Sequence, residues 1–87
     1  MYTIKITNKV EKFLEKHKWE FVIKKFYDAL LLIQYNPFSS RLDIKPIVWN
    51  LKFYRLRISK YRFIFSVLEN EVIVEFFKAD SRWSVYK

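Results

Sequence analysis

The chain opens on an alternation, Tyr2-Thr3-Ile4-Lys5-Ile6-Thr7, that is rich in β-branched residues and predicts a strand. The period then lengthens. Val10, Phe13, Leu14 and His17 recur at helical spacing, with Glu11, Lys12, Glu15, Lys16 and Lys18 mostly off that face, so an amphipathic helix is expected. Thr7 or Asn8 can cap it, and Glu11 stands three residues after Asn8 in capping-box spacing. A second helical stripe follows through Val22, Phe26, Leu30 and Ile33, widened by Ile23, Tyr27 and Leu31. Trp19, Phe21, Phe26 and Phe63 fall at core periodicity and are expected inside. Pro37 ends the second helix, because a residue before proline disfavours the helical region. Neither glycine nor proline marks the break between the helices near His17–Glu20.

From Phe38 to Pro46 the chain reads as a connection, and beyond it the period falls to two. Residues 53–58, 61–68 and 72–77 predict three strands joined by turns at Ser59-Lys60 and Glu69-Asn70. Asn70 tolerates positive φ, whereas Ser59-Lys60 lacks the glycine of a two-residue hairpin, so a bulge or longer loop is expected there. The whole predicts one α+β domain over residues 1–87. It has an N-terminal strand, two helices and an antiparallel three-stranded meander, in the order β-α-α-β-β-β, with the helices on one sheet face.

Composition narrows the chemistry. The chain has 87 residues, 52% of them hydrophobic, enough for one packed core. Without cysteine there is no disulfide framework, thiolate metal site or cysteine nucleophile, and a single histidine cannot build a His-based metal site. Without glycine there is no phosphate-cradling loop of the Walker or dinucleotide type. No cofactor and no metal are expected. Seventeen basic against nine acidic residues give a net charge of +8, a field that attracts polyanions. Lys5 and Lys9 interrupt the first ten residues, and the longest uncharged run, Ala29–Ser40, is far short of the ~20 apolar residues of a membrane span. Neither a secretory leader nor a membrane association is expected, and the expected location is cytoplasmic.

The positive charge is concentrated. Between Ile44 and Leu68 lie Lys45, Lys52, Arg55, Arg57, Lys60 and Arg62, with no carboxylate among them. Alternation puts Arg55 and Arg57 on one strand face with Phe53, and Tyr54, Leu56 and Ile58 on the other, toward the helices. Arg62, just past the turn, can join the first two in one patch. Guanidinium groups are planar, always charged and suited to bidentate phosphate contact. The plainer alternative is a solvated sheet face. His17 reads as a packing or surface histidine, and Trp49 and Trp83 flank the basic region as candidates for stacking on a base.

Three segments in order resemble a known family. Tyr54-Arg55-Leu56-Arg57, the Tyr61-Arg62 strand with Val72-Ile73-Val74 after it, and the terminal Arg82-x-x-x-Tyr86 resemble the RelE/ParE superfamily of toxin–antitoxin toxins. Asn36-Pro37-Phe38 is similar to the end of that family's second helix. The resemblance implies a type II toxin that enters the ribosomal A site and cuts mRNA by attack of a ribose 2′-hydroxyl on the adjacent phosphate, without metal. It implies catalytic roles for Arg62 and Arg82 in stabilising the phosphorane and for Tyr86 in orienting the scissile nucleotide. Arg55 and Arg57 would bind the backbone, joined by Lys45, Lys52 and Lys60. The implied partners are an acidic cognate antitoxin, the ribosome and mRNA. RelE carries lysines where this chain has Arg55 and Arg57, and arginine is a poor proton acceptor, which leaves Lys52, Glu75 or Tyr86 as candidate bases. The gyrase-inhibiting ParE branch is the alternative, as is a non-catalytic protein of the same fold that acts only as an antitoxin partner.

Overall fold

The computed structural model describes residues 1–47 and 50–81, so Trp49, Arg82, Trp83 and Tyr86 lie outside the described residues. The elements run β1 (Thr3–Ile6), α1 (Asn8–Lys16), α2 (Phe21–Tyr35), β2 (Asp43–Ile47), β3 (Asn50–Ile58), β4 (Tyr61–Leu68) and β5 (Ile73–Asp80). They form an α+β layer pair, with the helices against one face of a single sheet of order β1-β5-β4-β3-β2. The expected meander is β3-β4-β5, antiparallel throughout. Two strands extend it at the edges.

One of them, β2, lies inside the stretch expected to be a connection. It pairs antiparallel with β3 and carries Pro46, and the register shifts between Pro46 and Ile47. Proline cannot donate to a ladder and is tolerated in a strand chiefly at an edge or a bulge, the position it occupies here. The other edge is β1, parallel to β5. It is fastened at both ends, with Thr3 N donating to Val72 O at 2.8 Å and Thr7 N to Phe76 O at 3.0 Å.

Between helices and sheet the core gathers Val10 and Leu14 from α1, Val22, Phe26, Ala29 and Ile33 from α2, and the inward positions of β3, β4 and β5. Phe26 stacks on Phe63 at 4.4 Å and meets Phe76 edge-on at 5.2 Å. Phe26 and Phe63 are therefore inside, as expected, but Trp19 is 90% exposed and Phe21, Tyr27 and Leu31 are exposed as well. The reason is geometric. A helix against a single sheet covers one side only, and α2 is apolar nearly all the way round.

The local signals resolve similarly. Thr7 is the N-cap of α1, with Glu11 N donating to Thr7 O at 3.0 Å, so Glu11 falls one residue too late for the capping box. The helices break at His17–Glu20, where His17 Nδ1 meets Glu20 Oε2 at 2.5 Å and Tyr61 donates its hydroxyl to Glu20 Oε1. This three-residue cluster pins the helical corner to the start of β4. The β3–β4 connection is a two-residue hairpin after all, with Ile58 opposite Tyr61. Ser59 takes the positive φ of 58° itself, and two arginines hold the turn carbonyls: Arg57 Nε to Ser59 O at 3.3 Å and Arg62 Nη1 to Lys60 O at 3.2 Å. In the β4–β5 loop positive φ falls on Val72, at 56°, rather than on Asn70.

Candidate nucleic-acid interface

Among the described residues the sheet's second face carries no helix, and pairing register sorts its charges into rows. One row runs Asp43, Arg57, Arg62, Asp80 across β2, β3, β4 and β5. The next runs Lys45, Arg55, Ile64, Lys78 across the same strands. Each row thus sets two cations on directly opposed positions, Arg57 beside Arg62 and Lys45 beside Arg55. Cα atoms of opposed residues in antiparallel pairs stand about 4.5–5.5 Å apart, and like charges so placed destabilise a sheet. In the first row each arginine also stands opposite a carboxylate, Asp43 beside Arg57 and Asp80 beside Arg62, so the excess of positive charge comes from the second row, which holds no carboxylate.

The arginines are not simply wet. Arg55 is 9% exposed and Arg62 5%, while Arg57 is open to solvent. Burial of a charge demands partners. Arg55 Nη2 reaches diagonally to Asp43 Oδ1 at 3.2 Å, and Arg62 donates to Lys60 O. Behind them Ile47 and Ile64 are buried with Phe53 and Phe77 around them, the two rings 4.9 Å apart. A bulge between Ile64 and Phe65, with its counterpart on β5, lets Phe77 join this cluster. An apolar floor under fixed guanidinium groups lowers the local dielectric and strengthens their pull on a phosphate.

Of the residues expected at the site, Lys45, Arg55, Arg57 and Arg62 share the open face. Lys60 sits in the exposed hairpin turn, its Nζ 5.4 Å from the Tyr61 ring centre. Lys52 does not join them. Strand alternation sets it with Tyr54 on the helix side, and it lines a hollow with Tyr54, Val67 and residues 68–71. Glu75 is on the open face but five residues along β5 from Asp80, about 17 Å from the Arg62 row. Arg82 and Tyr86 lie outside the described residues. Lys78, Asp43 and Asp80 were not singled out by sequence. Continuing the alternation past Phe77 without the bulge would have sent Lys78 to the other face, and the two aspartates become visible only through register.

At the helical corner Glu20 has its carboxyl held below the usual carboxylate range, chiefly by the hydrogen bond from Tyr61 and then by that to His17. The same bond to Glu20, followed by burial, raises the Tyr61 phenol above its ordinary value. His17, read as a bland packing residue, therefore belongs to a polar latch. It lies on the helix side of the sheet, away from the arginine rows.

No family model matches the sequence, and no curated protein matches it significantly. Solved structures do match. The chain superposes on the archaeal RelE–RelB complex from Pyrococcus horikoshii with a TM-score of 0.78 at 23% identity, covering 91% of this chain and 92% of that one. The isolated RelE toxin of E. coli gives 0.67 at 16% identity over 91% and 82% of the two chains. The RelBE2 toxin–antitoxin complex of Mycobacterium tuberculosis gives 0.59 at 21% identity over 93% and 98%. These superpositions span 91–93% of the chain, and the protein has the RelE fold.

Proposed function

We propose that the chain is the toxin of a type II toxin–antitoxin module and acts as a ribosome-dependent endoribonuclease on mRNA in the A site. The observation that carries this reading is the grouping of Lys45, Arg55, Arg57 and Arg62 on one sheet face, with Arg57 directly opposite Arg62, within a RelE fold. In the reaction the ribose 2′-oxygen bonds to the adjacent phosphorus and the bond to the 5′-oxygen breaks. One proton leaves the 2′-hydroxyl and one reaches the departing oxygen. Arg57 and Arg62 hold the phosphate between them, and charge that grows on the phosphorane is met by donors already in place. Arg55 and Lys45 take the neighbouring phosphate. By resemblance, Arg82 adds to the phosphorane contacts and Tyr86 orients the nucleotide. The catalysis we infer rests on orientation and charge stabilisation.

A protein partner follows from the other side of the molecule. Trp19, Phe21, Tyr27, Leu31 and Tyr35 leave a large apolar surface exposed on a chain of charge +8. Such a surface marks a contact site, and an acidic antitoxin that covers it would meet both its apolar and its charged character. Two of the similar structures are complexes of a RelE-type chain with a RelB-type or antitoxin partner.

Induced expression of the chain in growing cells, followed by primer extension on translated messages, tests the reading. Growth arrest with new 5′ ends inside translated codons is the expected result. Arrest with intact mRNA and broken DNA would transfer the protein to the gyrase-inhibiting alternative.

A further inference from the structure

We propose that the groove between α2 and the β2–β3 side of the sheet is a second phosphate-binding subsite, which takes a nucleotide of the same RNA strand outside the scissile position. The proposal rests on the nucleic-acid reading of the open face and extends it round the sheet edge.

The groove encloses about 360 Å³, and its walls bring together Lys25, Arg41 and Arg57, with Asp28 and Asp43 between them. Three cations against two carboxylates would be nearly neutral, but the carboxylates are engaged elsewhere. Asp43 Oδ1 accepts from Arg55 Nη2 at 3.2 Å, and Asp28 Oδ2 from Lys24 Nζ at 3.1 Å. Neither Arg55 nor Lys24 lines the groove. Among the described residues, Lys25, Arg41 and Arg57 form no ion pair, so the groove keeps the charge of its three cations.

Two of those cations are arginines, and one of them fixes the connection to the open face. Arg57 stands opposite Arg62 in the first charge row and also forms the groove wall. Its Nε is spent on Ser59 O at 3.3 Å, which sets the stem of a residue that is exposed as a whole. A strand held between Arg57 and Arg62 therefore passes directly from the face into the groove. There Arg41 offers the next fork, suited to a phosphate, and Leu32 lines the wall against which a sugar or base can lie. Continuity favours a nucleotide over an acidic peptide: Arg57 belongs to both the open face and the groove, so an RNA strand seated on the face runs on into it.

The test is fluorescence anisotropy with 2′-O-methyl RNA, which cannot be cleaved, as a dinucleotide and as an oligomer of about ten nucleotides. Binding is measured at roughly 50 and 200 mM salt, and circular dichroism checks each variant's fold. Arg41→Ala and Lys25→Ala are expected to weaken the oligomer roughly three- to tenfold and to reduce the salt slope by about 0.7 each, leaving the dinucleotide unchanged. Arg41→Lys should recover part of the loss. Arg62→Ala is expected to weaken both ligands. Unchanged oligomer binding for Arg41→Ala and Lys25→Ala, with Arg62→Ala still defective, overturns the groove and leaves the open face standing. Equal losses for both ligands overturn it too, because the groove would then serve the scissile position. Intact RNA binding with loss of a co-expressed antitoxin makes the groove a protein-docking surface, against the proposal. Wild-type protein that binds neither ligand overturns the proposal together with the reading on which it rests.

Discussion

Arg62 has two duties at the residue scale. It faces Arg57 across the ladder and also gives a hydrogen bond to Lys60 O in the turn, while nearly all of its surface is covered. A side chain so enclosed is not thermodynamically neutral. Arg62→Ala is expected to lower stability by about 1–2 kcal/mol through lost packing and an orphaned carbonyl, and to slow cleavage by roughly 10²–10³. Arg62→Lys keeps charge and stem but loses the fork, so it should recover stability more fully than rate; urea unfolding beside single-turnover cleavage on programmed ribosomes separates the two. The Glu20–Tyr61 bond sets a different signature. The carboxyl of Glu20 titrates below its ordinary range when folded, so its contribution is full above that range and is lost as pH falls through the folded value. The Tyr61 phenol is raised, so its share is full below the ordinary tyrosine range and fades as pH climbs through the folded value. Thermal unfolding of Glu20→Gln should lie below wild type at neutral pH, with the gap closing below about pH 4.

Hairpins and helices set the limits at the scale of elements. A chain without glycine must place ordinary residues at positive φ, and it does so at Ser59 and Val72. For a branched side chain that conformation is strained by about 1–2 kcal/mol, and serine fares only somewhat better. Val72→Gly and Ser59→Gly are each expected to raise the urea midpoint, Val72→Gly by the larger amount, with Ser59→Gly near 1 kcal/mol. A decrease in either would show that the side chain itself holds the loop. Helix α2 makes the complementary point. Its buried stripe, Val22, Phe26, Ala29 and Ile33, carries the packing, whereas Leu31 on the outer side carries none of it. Phe26→Ala should cost about 3–5 kcal/mol and Leu31→Ala about 0.5 or less, measured by the same denaturation.

The whole molecule is divided into two working sides. One side of the sheet is a charged plane with an apolar floor, and the far side of the helical layer is an exposed apolar surface. A free chain that carries both is poorly suited to remain alone at high concentration. Binding of a partner to the folded form alone raises apparent stability by mass action, about 2.7 kcal/mol at a partner concentration one hundred times Kd. The unfolding temperature of the chain co-expressed with the acidic antitoxin proposed for it is therefore expected to exceed that of the free chain and to rise with complex concentration. Equal and concentration-independent unfolding temperatures would argue that the apolar surface of α2 has no such partner.

Periodicity along the chain was enough to place β1, both helices and the three central strands, because each buries a face whose spacing is written into neighbouring residues. It was also enough to set Arg55 and Arg57 on the side away from the helices. Three things depended on contacts distant in sequence. The strand β2 has little β character of its own and contains Pro46; it exists because β3 offers it an edge. Trp19, Phe21, Tyr27 and Leu31 look like core by spacing, yet one sheet covers only one side of a helix. The charge rows arise from register, and alternation within a strand fixes which residues share a face but not which residue stands opposite. Arg57 beside Arg62, Lys45 beside Arg55, and Asp43 within reach of Arg55 were settled only when four strands took their places in one sheet.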